Sequence, residues 1–143
     1  MTNDYLEDVR REFGVSLPAS FVAFMQDYPS ELETTKLNLG WCQEAVSERY
    51  FLKSPDRIAE LNRIVRTPGV SWLEDGNGWP TRFFVIGDDD CGNYFAIDTE
   101  TDTGAVHFYD HEVASFALRA GSLRAFADEM IEETLDFNRE NKG

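Results

Sequence analysis

The sequence predicts a single α+β domain with a central, mostly antiparallel sheet flanked by helices, spanning residues 1–143. Three observations carry this. Amphipathic helical periods occupy the first third of the chain and the last twenty-odd residues. Between them, residues 82–109 hold apolar runs joined by short polar, glycine-bearing links, the pattern of an antiparallel meander. No internal repeat, low-complexity tract or linker divides the chain, and 143 residues suffice for one core without a disulfide or metal.

Tyr5, Val9 and Phe13 recur at helical spacing with charges between them, and Gly14 follows as a stop. Leu17-Pro18 opens a second helix whose face is Phe21, Phe24, Met25 and Tyr28; Pro18 suits its first turn and Pro29 ends it. From Lys36, the alternation of Leu37, Leu39 and Trp41 predicts a strand. Ser54 as N-cap and Pro55 as first helical residue start a third helix carrying Ile58, Leu61, Ile64 and Val65, closed by Pro68-Gly69. Val70 to Pro80 has two tryptophans and two glycines without a period, and is read as a loop. The runs Phe83–Ile86, Tyr94–Ile97 and Ala105–Tyr109 are three strands, linked by GDDDCGN and DTETDTG. Ser122 then caps a long helix whose apolar stripe is Leu123, Phe126, Ala127, Met130, Ile131 and Leu135 and whose other face is acidic.

Charge narrows the partners. The chain carries 27 acidic and 13 basic residues, net −14. Residues 1–80 hold 13 acids against 8 bases and residues 81–143 hold 14 against 5, so the C-terminal part is the more acidic. A field of this sign repels nucleic acid and anionic membrane and attracts basic partners. No stretch is apolar enough to span a bilayer, and the opening residues MTNDYLEDVRREF lack the basic and apolar regions of a secretory signal. Cys42 and Cys91 have neither metal-ligand nor framework spacing, so free thiols in the cytoplasm are expected.

Candidate chemistry is sparse. Asp88, Asp89 and Asp90 could hold a hard cation, but with Asp88 first, Cys91 and Gly92 fall fourth and fifth, which departs from the calcium-loop pattern. A turn in which an aspartate side chain accepts backbone N–H groups fits better. His107 lies in a strand and His111 beyond it, so their spacing of four does not aim both at one metal. Nothing flanking Cys91 marks it as a catalytic nucleophile, and paired carboxylates for a small hydrolase carry no information in a chain this acidic. Neither metal nor cofactor is expected. Trp72 and Trp79 flank Glu74, Asp75 and Gly76, an aromatic and acidic combination that could anchor a basic partner.

Three stretches are similar to the SUKH superfamily, which includes fungal cell-wall-synthesis regulators and many bacterial immunity proteins. These are LPASFVAFM at residues 17–25, FFVIGDDDCGNYFAID at 83–98 and GAVHFYDHE at 104–112. Together with the element order they span nearly the whole chain. The loop Asp88-Asp89-Asp90-Cys91-Gly92 is more acidic than that family's usual small-residue version. The resemblance implies a non-enzymatic protein-binding domain, in bacteria an immunity protein that neutralises a cognate polymorphic toxin by direct association, often a nuclease. The alternative it implies is a regulatory scaffold or adaptor. A basic toxin would meet the acids at loops and strand ends, where binding residues concentrate on a rigid scaffold: Glu74, Asp75, Asp88, Asp89, Asp90, Asp110 and Glu112, with Trp79 as aromatic anchor. A monomer is favoured.

Overall fold

A computed structural model describes residues 1–141 and shows a mixed α+β architecture. Helix α1 covers Asn3–Phe13. Thr2 caps it by accepting the Tyr5 N–H at 3.1 Å, and Gly14 ends it in the left-handed region at φ 72°, where glycine carries no side-chain penalty. Helix α2 covers Ala19–Gln26. Pro18 stands one place earlier than expected, as the extended residue before the helix, its carbonyl accepting from the Phe21 and Val22 N–H groups. A single-turn helix α3, Glu31–Thr34, follows Pro29.

The strand expected through Leu39 and Trp41 stops sooner. β1 (Lys36–Asn38) pairs antiparallel with β2 (Gln43–Ala45), because Gly40, at φ 86°, turns the chain between them. Trp41 therefore sits at the hairpin tip, 85% exposed. Helix α4, Pro55–Val65, begins as predicted: Ser54 Oγ accepts the Arg57 N–H at 3.3 Å and Pro55 holds the first position. Its buried stripe is Ile58, Leu61, Asn62 and Val65, with the expected Ile64 turned outward.

Strands β3 (Phe83–Asp88), β4 (Tyr94–Asp98), β5 (Val106–Asp110) and β6 (Ser115–Ala120) form one antiparallel meander in that order. The first three were legible; β6 adds a fourth. Helix α5, Leu123–Glu140, is capped by Ser122.

Cross-strand register separates the two faces. Phe95 and Phe108 are partners on one face, where Phe95 meets Phe126 of α5 with ring centroids 4.9 Å apart. On the same side Phe84 packs edge-on to Phe13 and Phe21. Tyr94, Tyr109 and Phe116 align on the opposite face, which is closed by the loop bearing Trp72 and Trp79. Arg66, at the end of α4, braces that loop by donating to the Thr81 and Phe83 carbonyls; burial lowers its pKa to about 10.

The free edge of β3 is shielded. Asn62 bonds both backbone groups of Val85, and the segment around Tyr50 covers the rest through Leu52 N–H to Ile86 carbonyl and Asp88 N–H to Arg49 carbonyl. That crossing needs Gly87: a Cβ there would lie 2.0 Å from the Tyr50 carbonyl oxygen.

Candidate functional site

The β3–β4 connection is built by one carboxylate. Asp89 Oδ1 accepts the N–H groups of Cys91 (2.9 Å) and Asn93 (3.2 Å), and its Oδ2 accepts the Asn93 side-chain amide at 2.9 Å. This is the aspartate turn expected from sequence, with Asp90 and Gly92 at positive φ completing the reversal. Asn93 Oδ1 in turn accepts the backbone N–H of His111 (2.9 Å), which ties this loop to the β5–β6 loop. There, Asp110 Oδ1 accepts the Glu112 N–H at 2.9 Å. In the 70–80 loop, Asp75 plays the same part for Asn77, taking its backbone and side-chain N–H groups at 3.0 and 2.9 Å.

Aromatic packing sets the 70–80 loop on the sheet face. The Trp72 ring lies edge-on to Tyr94, which starts β4, and to Tyr109, near the end of β5. The Tyr109 hydroxyl donates to the Trp72 carbonyl at 2.5 Å. The loop that carries Glu74 and Asp75 is thereby packed on the sheet face that holds Tyr94 and Tyr109. Glu74, Asp75, Asp90 and Glu112 are exposed; Asp88, Asp89 and Asp110 are half-buried.

Electrostatics at this end is one-sided. Burial raises the Asp88 pKa above the ordinary carboxylate value, and the Asp90 and Asp89 charges add to the rise against weaker help from Arg57 and Arg49. Arg49 lies 3.6 Å from Asp90 but is chiefly engaged with Glu44, at 2.8 and 2.7 Å through two parallel bonds. That contact raises the Arg49 pKa. Burial also raises the Tyr94 and Tyr109 hydroxyls, with nearby aspartates contributing.

Trp79, the expected anchor, is a core residue. It is 8% exposed, its Nε1–H donates to the Phe83 carbonyl at 2.7 Å, and its ring meets Trp72, Tyr94, Tyr109 and Phe116. The ring fixes the loop and offers no surface to a partner. Trp72 is half-buried beside it.

The candidate chemistry stays dispersed. Among the described residues, no group of three or more His, Cys, Asp or Glu could hold a metal ion. Cys42 and Cys91 are both free. The His111 ring rests on Gly92 and Asn93, whereas His107 packs on Phe83 with centroids 5.2 Å apart and has its pKa lowered by burial. Among the described residues, no helix is long and apolar enough to cross a membrane.

The model of the SMI1 / KNR4 family (SUKH-1) matches residues 1–129, which take in every element before α5 and the first turns of α5. No curated protein and no solved structure matches the chain.

Proposed function

Because the chain belongs to the SMI1 / KNR4 family, we propose that it is a cytoplasmic, non-catalytic binding protein that neutralises a cognate basic toxin by direct association through the acidic end of its sheet. The observation that supports this reading is the tie between the two loops that bear Asp88, Asp89, Asp90, Asp110 and Glu112, with Glu74 and Asp75 on a third loop packed on the adjoining sheet face. Asp75, Asp89 and Asp110 hold their own turns. The charges are thus presented on ordered backbone, which lessens the entropy lost on docking. Exposed Glu74 and Glu112, and exposed Asp90 beyond its 3.6 Å contact with Arg49, are the side chains that would meet lysines and arginines. Charge so placed acts mainly on encounter rate and partner choice. Trp79 enters as the residue that keeps the 70–80 loop in place.

The test pairs the chain with the product of a neighbouring toxin-like gene. Binding kinetics are measured at two ionic strengths for the native chain and for the paired changes Asp90→Asn with Glu112→Gln and Glu74→Gln with Asp75→Asn. A several-fold slower association with a weaker salt dependence, and lost protection of cells from the toxin, is the expected result. Unchanged kinetics and protection in both pairs, with charge reversal on the outer face of α5 abolishing binding, would move the interface elsewhere.

A further inference from the structure

Behind the acidic loops, on the α5 face of the sheet, a cavity of about 490 Å³ opens between α5, the β1–β2 hairpin and the middle strands. Phe95, Phe108 and Met130 form its floor, and Leu39, Tyr50 and Phe137 its sides. Thr134 adds no polar demand, since its hydroxyl donates to the Met130 carbonyl at 2.7 Å. Asp89 and Cys91 also line it, so the cavity and the acidic β3–β4 loop form one continuous surface. The size lies within the range of about 300–1,000 Å³ typical of ligand pockets, ample for a large side chain.

Charge around the mouth selects the occupant. The two arginines there are already neutralised: Arg49 by Glu44, and Arg119 by Glu129 at 2.9 Å and Glu133 at 2.7 Å. Counting Asp89 and Asp90 of the adjoining loop, five carboxylates stand against two guanidinium groups among the described residues. An anionic ligand or acidic peptide would meet repulsion without a free cation among the described lining residues to hold it. A second copy of this chain, itself at −14, meets the same repulsion.

We propose that this cleft receives one aromatic or long aliphatic side chain from a basic segment of a partner protein, with flanking lysines or arginines lying along the acidic rim. The proposal rests on the reading of the chain as a binder of a basic protein and names what that protein must present. Apolar contact in the cleft supplies residence, while the rim supplies encounter and register.

The probes are three synthetic peptides, titrated at low salt into the full ¹⁵N-labelled chain: Lys-Lys-Trp-Lys-Lys, its analogue with Ala for Trp, and its analogue with Glu for every Lys. The Trp peptide should shift the amides of Leu39, Cys91, Phe108 and Phe137 and bind about tenfold or more tightly than the Ala peptide, the gain expected for burying a large apolar side chain. The Glu peptide should not bind. Phe137→Lys, at a partly exposed position near the end of α5, should weaken the Trp peptide about tenfold while thermal unfolding stays unchanged. Equal binding of the Trp and Ala peptides, shifts confined to residues outside the cleft, or indifference to Phe137→Lys would overturn the proposal. The neighbouring toxin-like protein separates it from the broader reading. A toxin lost on neutralising the loop acids but indifferent to Phe137→Lys sinks the cleft and leaves toxin neutralisation standing. Peptide capture in the cleft by a chain that ignores that toxin does the reverse.

Discussion

Asn62 is the residue whose removal tests the account of the fold most directly. It is 0% exposed, on the buried face of α4, and its side chain bonds backbone groups that strand pairing leaves over. Nδ2 donates to the Val85 and Ile58 carbonyls, both at 2.9 Å, and Oδ1 accepts the Val85 N–H at 2.9 Å. Val85 is itself fully buried on the unpaired edge of β3, so water cannot replace either bond. Asn62→Ala therefore orphans one donor and one acceptor, each costing about 1–3 kcal/mol. The sum, about 3–5 kcal/mol with a small cavity added, is a large part of the roughly 5–15 kcal/mol that holds a domain folded. Urea unfolding followed by tryptophan fluorescence should show a lower midpoint with an unchanged slope, and the melting temperature should fall by roughly 6–20 °C. Asn62→Leu keeps the volume but not the bonds, and should recover less than half of the loss. If Leu restores native stability, or if Ala costs under about 1 kcal/mol, the edge of β3 is not held by this side chain.

Two further outcomes follow from the same geometry. Gly87→Ala sets a methyl against the Tyr50 carbonyl at 2.0 Å, where backbone cannot yield, and should cost about 2–4 kcal/mol by the same unfolding assay. Asp88→Asn should raise stability at neutral pH: burial and the Asp90 and Asp89 charges raise its folded pKa above the unfolded value, so the ionised form opposes folding. That opposition fades as pH falls through the folded pKa toward the unfolded one, near 4, so the gain over the native chain should shrink in acid unfolding curves; a pH-independent gain would refute the charge argument.

Elements with local punctuation were legible from the sequence. Gly14, Ser54-Pro55 and Ser122 mark helix ends by the bonds they make or the φ they allow, and those bonds form where expected. β6 was not legible because only Ala120 is buried along it; an edge strand with solvent beside it lacks the apolar alternation of its neighbours. Leu118, 66% exposed, breaks any such pattern. The run Leu37, Leu39, Trp41 misled for the opposite reason: its period is right for a strand, but Gly40 turns the chain before Trp41. On α4 the polar Asn62 fills the buried place that an apolar count gave to Ile64. Loop acids could be named from sequence. The tie between the β3–β4 and β5–β6 loops could not, since it runs through Asn93 and His111, and the burial of Trp79 carries no periodic signal. The cleft was invisible because its lining comes from both ends of the chain, from Leu37 to Phe137.

The acidic end separates two demands that sequence alone merges. A turn of the kind built by Asp75, Asp89 and Asp110 needs an acceptor oxygen at the right place, and an asparagine side chain supplies one without a charge. At Asp75 and Asp110 turn formation therefore explains the side-chain shape and not the ionisation, whereas Asp89 also uses its second oxygen to accept the Asn93 amide, whose Oδ1 is held by the His111 N–H. Ionisation has a cost here: Asp88 is half-buried among like charges, with only partial relief from Arg49 and Arg57. Glu74 and Glu112 accept no backbone bond that would fix their loops, and Asp90 occupies a positive φ that glycine or asparagine would adopt more readily. Outside Asp89, folding alone would be served as well or better by neutral residues at these places. The surplus charge is what a basic partner would read, so Asn and Gln replacements at the positions other than Asp89, which preserve the turns and remove the charge, are the changes that distinguish scaffold from surface.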